Sequence, residues 1–170
     1  MSVAAPDIAP VLVLAWGNPS RGDDALGPEF VARASALPPP PGAPAIEWQT
    51  DFQLQVEHAL DLAGRSQVLF VDASVDCAAP CEAHVLRSAV QRQLTTHAMA
   101  PEAVMQVYEQ LHGRPPPPCT LLAIRARQFE LGTAIGADAQ QHLALALDWF
   151  TRWWSSLAEP SASTAPPCTS

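Results

Sequence analysis

The chain has few basic residues. Its 9 Lys and Arg are outnumbered by 17 Asp and Glu, which gives a formal net charge of -8. An acidic chain is a poor nucleic-acid binder, because contacts with phosphate dominate that affinity. It is equally unsuited to an anionic membrane surface. The composition therefore excludes nucleic acid and membrane as partners and favours a partner with a basic or neutral patch.

Long hydrophobic runs are also missing. The first ten residues, MSVAAPDIAP, contain no basic region and no long apolar stretch, so we expect no signal peptide. No apolar run approaches the roughly 20 residues that span a bilayer. These absences predict a cytoplasmic protein.

Cysteine is scarce, with Cys77, Cys81, Cys119 and Cys168 only. In the cytoplasm we expect free thiols. Cys77 and Cys81, with His84 nearby, could instead form a zinc knuckle. The sequence offers no second cysteine pair to complete it, which argues against a structural zinc site.

Several well-known catalytic motifs are absent. The sequence has no G-x-S-x-G and no H-E-x-x-H, which argues against a serine hydrolase of the nucleophile-elbow type and against a zincin. The loop GNPSRGDD lacks the G-x-G-x-x-G spacing, and no Walker A motif occurs. Dinucleotide and triphosphate binding are therefore poorly supported.

What the chain does have is enough apolar sequence for a core. Its 170 residues are 48% hydrophobic and 15% charged, which predicts one globular domain. We assign that domain to residues 11–157, preceded by an N-terminal extension, 1–10. The Ser-, Ala-, Pro- and Thr-rich tail, 158–170, is expected to be disordered.

Short apolar runs alternate with helical patterns along the domain. Strands are predicted at 11–16, 45–50, 68–71 and 121–124, with a further edge strand at 84–86. Helical patterns occupy 54–63 and 100–111, and a long final helix places Leu143, Leu147, Phe150, Trp154 and Leu157 on one face. This order predicts an α/β fold with a mainly parallel sheet covered by helices on both sides.

Acidic residues stand where three of these strands end. Asp23 and Asp24 lie in the loop after the first strand, Asp51 follows the second and Asp72 the third. In an open parallel sheet such loops converge on one crevice. Converging carboxylates bind a cation, or one of them has a raised pKa. The sequence therefore predicts a functional site at this edge.

Each of these residues also has a purely structural interpretation. Asp24 and Asp51 could cap the helices that follow them, and Asp72 could form a turn with Ser74. His97, in the loop LTTHAMAPE before a predicted helix, is a plausible metal ligand or an ordinary surface histidine.

The segment LAWGNPSRGDDALGPEF resembles the opening signature of the hydrogenase maturation endopeptidases. Four later segments, TDFQLQVEHALDL, VLFVDAS, THAMAPEAVM and LLAIRARQFELG, fall in the order found in that family. The resemblance extends over residues 11–150. The DFQLQ element is most similar to the branch that serves cytoplasmic, NAD-linked bidirectional hydrogenases.

The resemblance implies a single-domain three-layer sandwich and a set of site residues. Family members bind nickel, or zinc or cadmium as surrogates, through positions that match Asp24, Asp72 and His97. Asp24 stands where the family often has glutamate, and Asp23 is the alternative if the alignment shifts by one residue. Asp51 matches an acidic position linked to recognition or catalysis, although Asp51-Phe52-Gln53 replaces a glycine-rich element. The implied catalytic candidates are Asp24, Asp51 and Asp72.

The resemblance also implies a reaction. The enzyme would remove the C-terminal extension of a nickel–iron hydrogenase large-subunit precursor once nickel is loaded, as a monomer and without an organic cofactor. A maturation chaperone that does not cleave is one alternative. A peptidyl-tRNA hydrolase-like esterase is another, but it would need a basic surface and an early histidine, and no histidine precedes His58.

Overall fold

A computed structural model of the chain describes residues 8–88, 99–159 and 166–168. The strands in these ranges are β1 (Val11–Trp16), β2 (Ile46–Asp51), β3 (Gln67–Ser74), β4 (Cys81–Leu86) and β5 (Cys119–Arg125). The α-helices are α1 (Leu26–Ala34), α2 (Pro101–His112) and α3 (Ala137–Ser156), and two 3-10 helices cover Gly22–Ala25 and Val56–Leu62.

The strands form one sheet in the order β2-β1-β3-β5-β4. The first four strands of that order are parallel, and β4 pairs antiparallel with β5 at the edge. The predicted mainly parallel sheet is confirmed, including the edge strand near His84. The predicted helix at 54–63 is a 3-10 helix, Val56–Leu62.

The central strand β1 explains why the sheet has helices on both sides. Five consecutive residues, Val11 to Ala15, are completely buried. Val11, Val13 and Ala15 belong to a core with α1 and α3, whereas Leu12 and Leu14 belong to a second core with α2 and the 3-10 helix Val56–Leu62. A strand buried on both faces has a continuous apolar sequence. The predicted three-layer sandwich is confirmed.

The aromatic side chains of α3 serve the core, as expected. Leu143, Phe150 and Trp154 are buried on the predicted face, and Leu147 and Leu157 pack against it. Trp149 and Trp153 are buried as well. The buried face of α3 is therefore wider than the predicted stripe.

The described part of the tail contacts the domain. The Trp149 indole donates a hydrogen bond to the Pro166 carbonyl, and Cys168 packs against the core that contains α1 and α3. Pro166–Cys168 is thus held in place, while the domain limits given above stay predictions. In the ranges described here, no helix is long and apolar enough to cross a membrane.

Cys81 and Cys168 form a disulfide between residues 87 positions apart. The prediction of free thiols is wrong for this pair, because the tail returns to β4. Cys77 and Cys119 are free and buried, and burial raises the pKa of both thiols, that of Cys119 to about 12. The Cys77 thiol faces the carbonyl oxygens of Ser74 and Ala123. This arrangement does not support a zinc knuckle.

The contact between α1 and β1 yields a first prediction. A Cβ on Gly27 would lie 2.3 Å from the Trp16 carbonyl oxygen. Alanine normally stabilises a helix by about 1 kcal/mol over glycine. We expect Gly27→Ala instead to lower the free energy of unfolding by about 1–3 kcal/mol, because the backbones must separate. Denaturant unfolding measures the difference.

Gly113→Ala is the matched control. Gly113 ends α2 with a φ of 61°, and an added Cβ meets nothing within 4 Å. Gly113→Ala should lower the free energy of unfolding only by the roughly 1–2 kcal/mol that a left-handed backbone conformation costs a residue with a side chain. A Gly27→Ala protein that is more stable than the parent would contradict the close contact.

Candidate functional site

Strand pairing places three side chains in a row at the carboxyl ends of the parallel strands, which form the site edge of the sheet. Trp16 is paired with Asp51 on β2, and Ala15 is paired with Val71, so that Asp72 follows beside Trp16. Trp16 packs against Phe70, which lies two residues before Asp72 and therefore on the same face. Adjacent strands are about 4.8 Å apart, so the backbones of Asp51 and Asp72 are about 10 Å apart.

The strands are longer than the sequence pattern indicated. Asp51 is the last residue of β2 and not the residue after it, and β3 continues past Asp72 to Ser74. The extension follows from the β3–β5 ladder, which runs to the pair Ser74 and Arg125. Asp72 is therefore anchored in the sheet, which holds its side chain more rigidly than a loop would.

Asp24 and Asp72 are electrostatic neighbours. The pKa of Asp72 is raised to about 7, mainly by burial and also by the charge of Asp24. Hydrogen bonds from the Ala73 backbone and the Trp16 side chain act in the opposite direction. The two carboxyl groups, one from the first loop and one from β3, form the centre of the candidate site.

The Gly17-Asn18 turn holds Asp24 in this position. The Asn18 backbone N–H donates to Asp24 Oδ2 at 2.9 Å, and the Gly17 N–H donates to the Asp51 carbonyl at 3.0 Å. A Cβ on Gly17 would lie 2.0 Å from the Asp24 carbonyl oxygen, and Gly17 has a φ of 142°. Only glycine fits this turn. The loop is therefore folded around Asp24.

Asp23 points away from the site and has a structural role. Its carboxylate is 2% exposed and accepts backbone N–H bonds from Arg127, Gln128 and Gly136 at 2.8, 3.1 and 2.8 Å. Gly136 is the N-cap of α3, where a negative charge is favourable. Asp23 thus joins the first loop to the connection between β5 and α3, which leaves Asp24 as the member of the pair that faces Asp72.

The simple structural interpretations of the other acidic residues are not observed. The N-cap of α1 is Ala25, without a side-chain bond from Asp24. Ser74 Oγ accepts bonds from the backbone of Asp76 and Cys77, and no turn with Asp72 is formed. Asp51 does not cap the next helix, whose N-cap is Gln55.

His58 was missed by the sequence analysis. Its Nε2 lies 3.3 Å from Asp51 Oδ2, and its side chain is only 12% exposed. The sequence placed it on a predicted regular helix, 54–63. A 3-10 helix has a different periodicity, so the side that faces β2 could not be identified from a 3.6-residue pattern.

His97 lies outside the described residues, so its place in the predicted ligand set stays a prediction. Within the ranges that the structure covers, no three His, Cys, Asp or Glu side chains form a metal-binding group. Ser88 follows β4 at the end of the sheet opposite to the site, and its hydroxyl donates a hydrogen bond to Glu109 near the C-terminal end of α2. The first turn of α2 therefore lies towards the site edge.

A cleft of about 280 Å³ lies beside the N-terminus of α3, and neither Asp24 nor Asp72 lines it. Its lining includes Asp23, Arg127 and Gly136. The Gly136 N–H that could bind an anion there already binds Asp23. The acidic pair, and not this cleft, is therefore the better candidate for a functional site.

The different surroundings of Asp23 and Asp24 can be tested by stability. Asp23→Asn places an amide against backbone N–H donors and should lower the free energy of unfolding by about 2 kcal/mol or more. Asp24→Asn, which retains an acceptor oxygen for Asn18, should change it by about 0.5 kcal/mol or less. Equal losses in urea unfolding would contradict the assignment of the two roles.

Asp72 makes a prediction about pH. Its pKa is about 7 in the folded protein and near 3.8 ordinarily, so between these values the folded state retains a proton that the unfolded chain has lost. The stability that this retained proton contributes is fully present below pH 4. It is lost as pH rises to 7, at up to about 1.4 kcal/mol of unfolding free energy per pH unit. Asp72→Asn should therefore be more stabilising at pH 8 than at pH 5.

Asp148→Asn, an exposed change on α3, is the matched control for charge. Urea unfolding of all three proteins at both pH values gives the comparison. If Asp72→Asn has the same effect at pH 5 and pH 8, Asp72 does not carry the shifted pKa.

Comparisons with known proteins identify solved structures that share this fold. No protein-family model and no curated protein sequence matches the chain. Solved structures do match. The [NiFe] hydrogenase maturation protease HycI from Thermococcus kodakarensis KOD1 aligns with a TM-score of 0.65 and 16% identity, over 86% of this chain and 93% of that chain.

Two further structures agree. The hydrogenase maturating endopeptidase HybD from E. coli gives a TM-score of 0.62 at 20% identity, over 81% of this chain and 87% of its own. A hydrogenase 2 maturation peptidase from a Thaumarchaeota archaeon gives 0.58 at 20% identity, over 84% and 95%. The chain therefore has the fold of the hydrogenase maturation proteases, as its resemblance in sequence implied.

Proposed function

We propose that this chain is an endopeptidase that removes the C-terminal extension of a nickel–iron hydrogenase large-subunit precursor after nickel loading. The observation that supports this proposal best is the Asp24 and Asp72 pair at the carboxyl edge of the sheet. The pair occurs in a fold shared with solved hydrogenase maturation proteases. No partner with nucleic acid or membrane chemistry is proposed, given the net charge of -8.

The pair suits recognition of a metal carried by the substrate. The charge of Asp24 raises the pKa of Asp72, and a nearby cation would offset that repulsion. Carboxylate oxygens together with one imidazole nitrogen would be a reasonable partial ligand set for nickel, with zinc or cadmium able to substitute. Asp24 and Asp72 would supply the oxygens. His97 is the proposed nitrogen ligand, on the resemblance alone.

The proposed reaction is hydrolysis of one peptide bond. A water molecule adds to the carbonyl carbon, the C–N bond breaks, and the products are a carboxylic acid and an amine. Asp24, Asp51 and Asp72 are the proposed catalytic group, since they come from three neighbouring segments at one edge.

A non-cleaving chaperone is the second candidate, and exposed apolar residues in the segment after β2 favour it. Phe52, which directly follows Asp51, is 63% exposed, and Leu60 in the 3-10 helix Val56–Leu62 is 62% exposed. Such side chains could hold an unfolded segment without cutting it. The size of the precursor after incubation distinguishes the two functions.

We further propose a cytoplasmic monomer. The precursor of a cytoplasmic hydrogenase would be met in that compartment. Disulfides are rare there, so the bond between Cys81 and Cys168 is expected to be reduced in the cell for this location to hold. Thiol labelling in intact cells, compared with labelling after lysis, tests the proposal.

The function itself is tested with purified nickel-loaded precursor. We expect the parent chain to shorten it and to leave metal-free precursor intact. Asp24→Asn, Asp72→Asn and His97→Ala should each slow processing at least tenfold, because an amide or a methyl group is a poorer metal ligand than the group it replaces. Gel mobility and mass spectrometry of the precursor report the cut.

Stability measurements on the same proteins separate function from folding. Asp72→Asn is expected to be as stable as the parent or more so at pH 8 and yet inactive, which a folding defect does not explain. Asp148→Asn should process normally. Full processing by Asp24→Asn would refute its role as a required ligand, and precursor that binds but keeps its mass would favour the chaperone.

A further inference from the structure

The Asp51 carboxylate makes two contacts at the site edge, a hydrogen bond with a backbone N–H and an ionic contact with a histidine. Its Oδ1 accepts the Phe52 backbone N–H at 2.6 Å, and its Oδ2 lies 3.3 Å from His58 Nε2. The side chain of Asp51 is 35% exposed, whereas that of His58 is 12% exposed. Asp51 therefore faces solvent on one side and a buried imidazole on the other.

The other ring nitrogen of His58 determines where its proton lies. The Gln55 backbone N–H donates to His58 Nδ1 at 2.9 Å. A backbone N–H can only donate, so Nδ1 must carry the lone pair. In the neutral imidazole the single ring proton is then on Nε2, the nitrogen that lies 3.3 Å from Asp51 Oδ2.

This arrangement excludes one role for His58 and favours another. Nδ1 already accepts the Gln55 N–H and Nε2 carries the ring proton, so the neutral imidazole cannot take a proton from the hydrolytic water without losing its bond to Gln55. Asp51 retains free lone pairs on the exposed side and accepts protons without rearrangement. A base oriented by a second side chain is a recurring arrangement in hydrolases.

We propose that His58 is a positioning residue that holds the Asp51 carboxylate as the proton acceptor for the hydrolytic water. This inference rests on the proposed peptidase function. Asp51 takes one proton from water as the water oxygen bonds to the peptide carbonyl carbon. That proton passes to the amide nitrogen as the C–N bond breaks, which returns Asp51 to a carboxylate and releases an acid and an amine.

A merely structural role for His58 is the competing explanation. Gln55 and His58 form a capping box, in which each side chain accepts a backbone N–H of the other residue. Loss of His58 could therefore disturb the 3-10 helix and act on the site indirectly. Comparison of Gln55→Ala with His58→Leu distinguishes these explanations, because Gln55→Ala removes one half of the box without removing a contact of Asp51.

The experiment compares kcat and KM for nickel-loaded precursor. His58→Leu removes the donor to Asp51 and should lower kcat at least tenfold with KM changed less than about twofold. His58→Gln keeps an N–H donor and should stay within about threefold of the parent. Gln55→Ala should keep kcat while losing stability. A Gln55→Ala protein as impaired in kcat as His58→Leu would overturn the positioning role.

A double variant tests whether His58 acts through Asp51. Asp51→Asn should be strongly impaired, and adding His58→Leu to it should cause little further loss, since two residues that act as one unit are not additive. Independent, multiplied losses would show that His58 acts elsewhere.

Nitrogen-15 NMR of the imidazole provides a readout that does not depend on activity. The parent should show His58 protonated at Nε2, and Asp51→Asn should alter that signal. A ring protonated at Nδ1 would overturn the inference even in an active enzyme. A parent chain that does not cut the precursor would overturn the proposed function, whereas cutting with a normal His58→Leu variant would overturn only the role of His58.

Discussion

The pairing of β1 with both of its neighbours is the constraint on which the site depends. It aligns Trp16 with Asp51 on one side and brings Asp72 beside Trp16 on the other. Side chains alternate between the two faces of a sheet, so a shift of one residue in either pairing would move a carboxylate to the opposite face. The complete burial of Val11 to Ala15 prevents such a shift, because both faces of β1 are already matched to helices.

The site combines rigid and charged components at some expense of stability. Asp72 is anchored in a strand and largely removed from water, and its raised pKa shows that the folded protein disfavours its ionised form. A carboxyl group in such a position is costly unless a partner compensates it. Sites that bind or react often retain an unfavourable charge of this kind, which the rest of the core offsets.

Two adjacent aspartates have unrelated roles because the chain turns between them. The 3-10 helix Gly22–Ala25 directs Asp23 into three backbone N–H groups near α3 and leaves Asp24 beside Asp72. Asp51 likewise does not cap the helix that follows it, because the chain continues to Gln55 before that helix begins. Its contact with His58 links β2 to the following 3-10 helix, so the second strand, its connection and the acidic edge form one unit.

The amino-acid sequence by itself determined the strand order along the chain, the buried runs, the acidic residues at strand ends and the resemblance to maturation endopeptidases. These features depend on local pattern: apolar runs such as Val11 to Trp16 and residues at their ends. Tertiary structure alone decided that Asp23 is structural, that His58 contacts Asp51 and that Cys168 reaches Cys81. Each of these depends on contacts between distant or irregular segments, whose directions are set by packing and not by sequence periodicity.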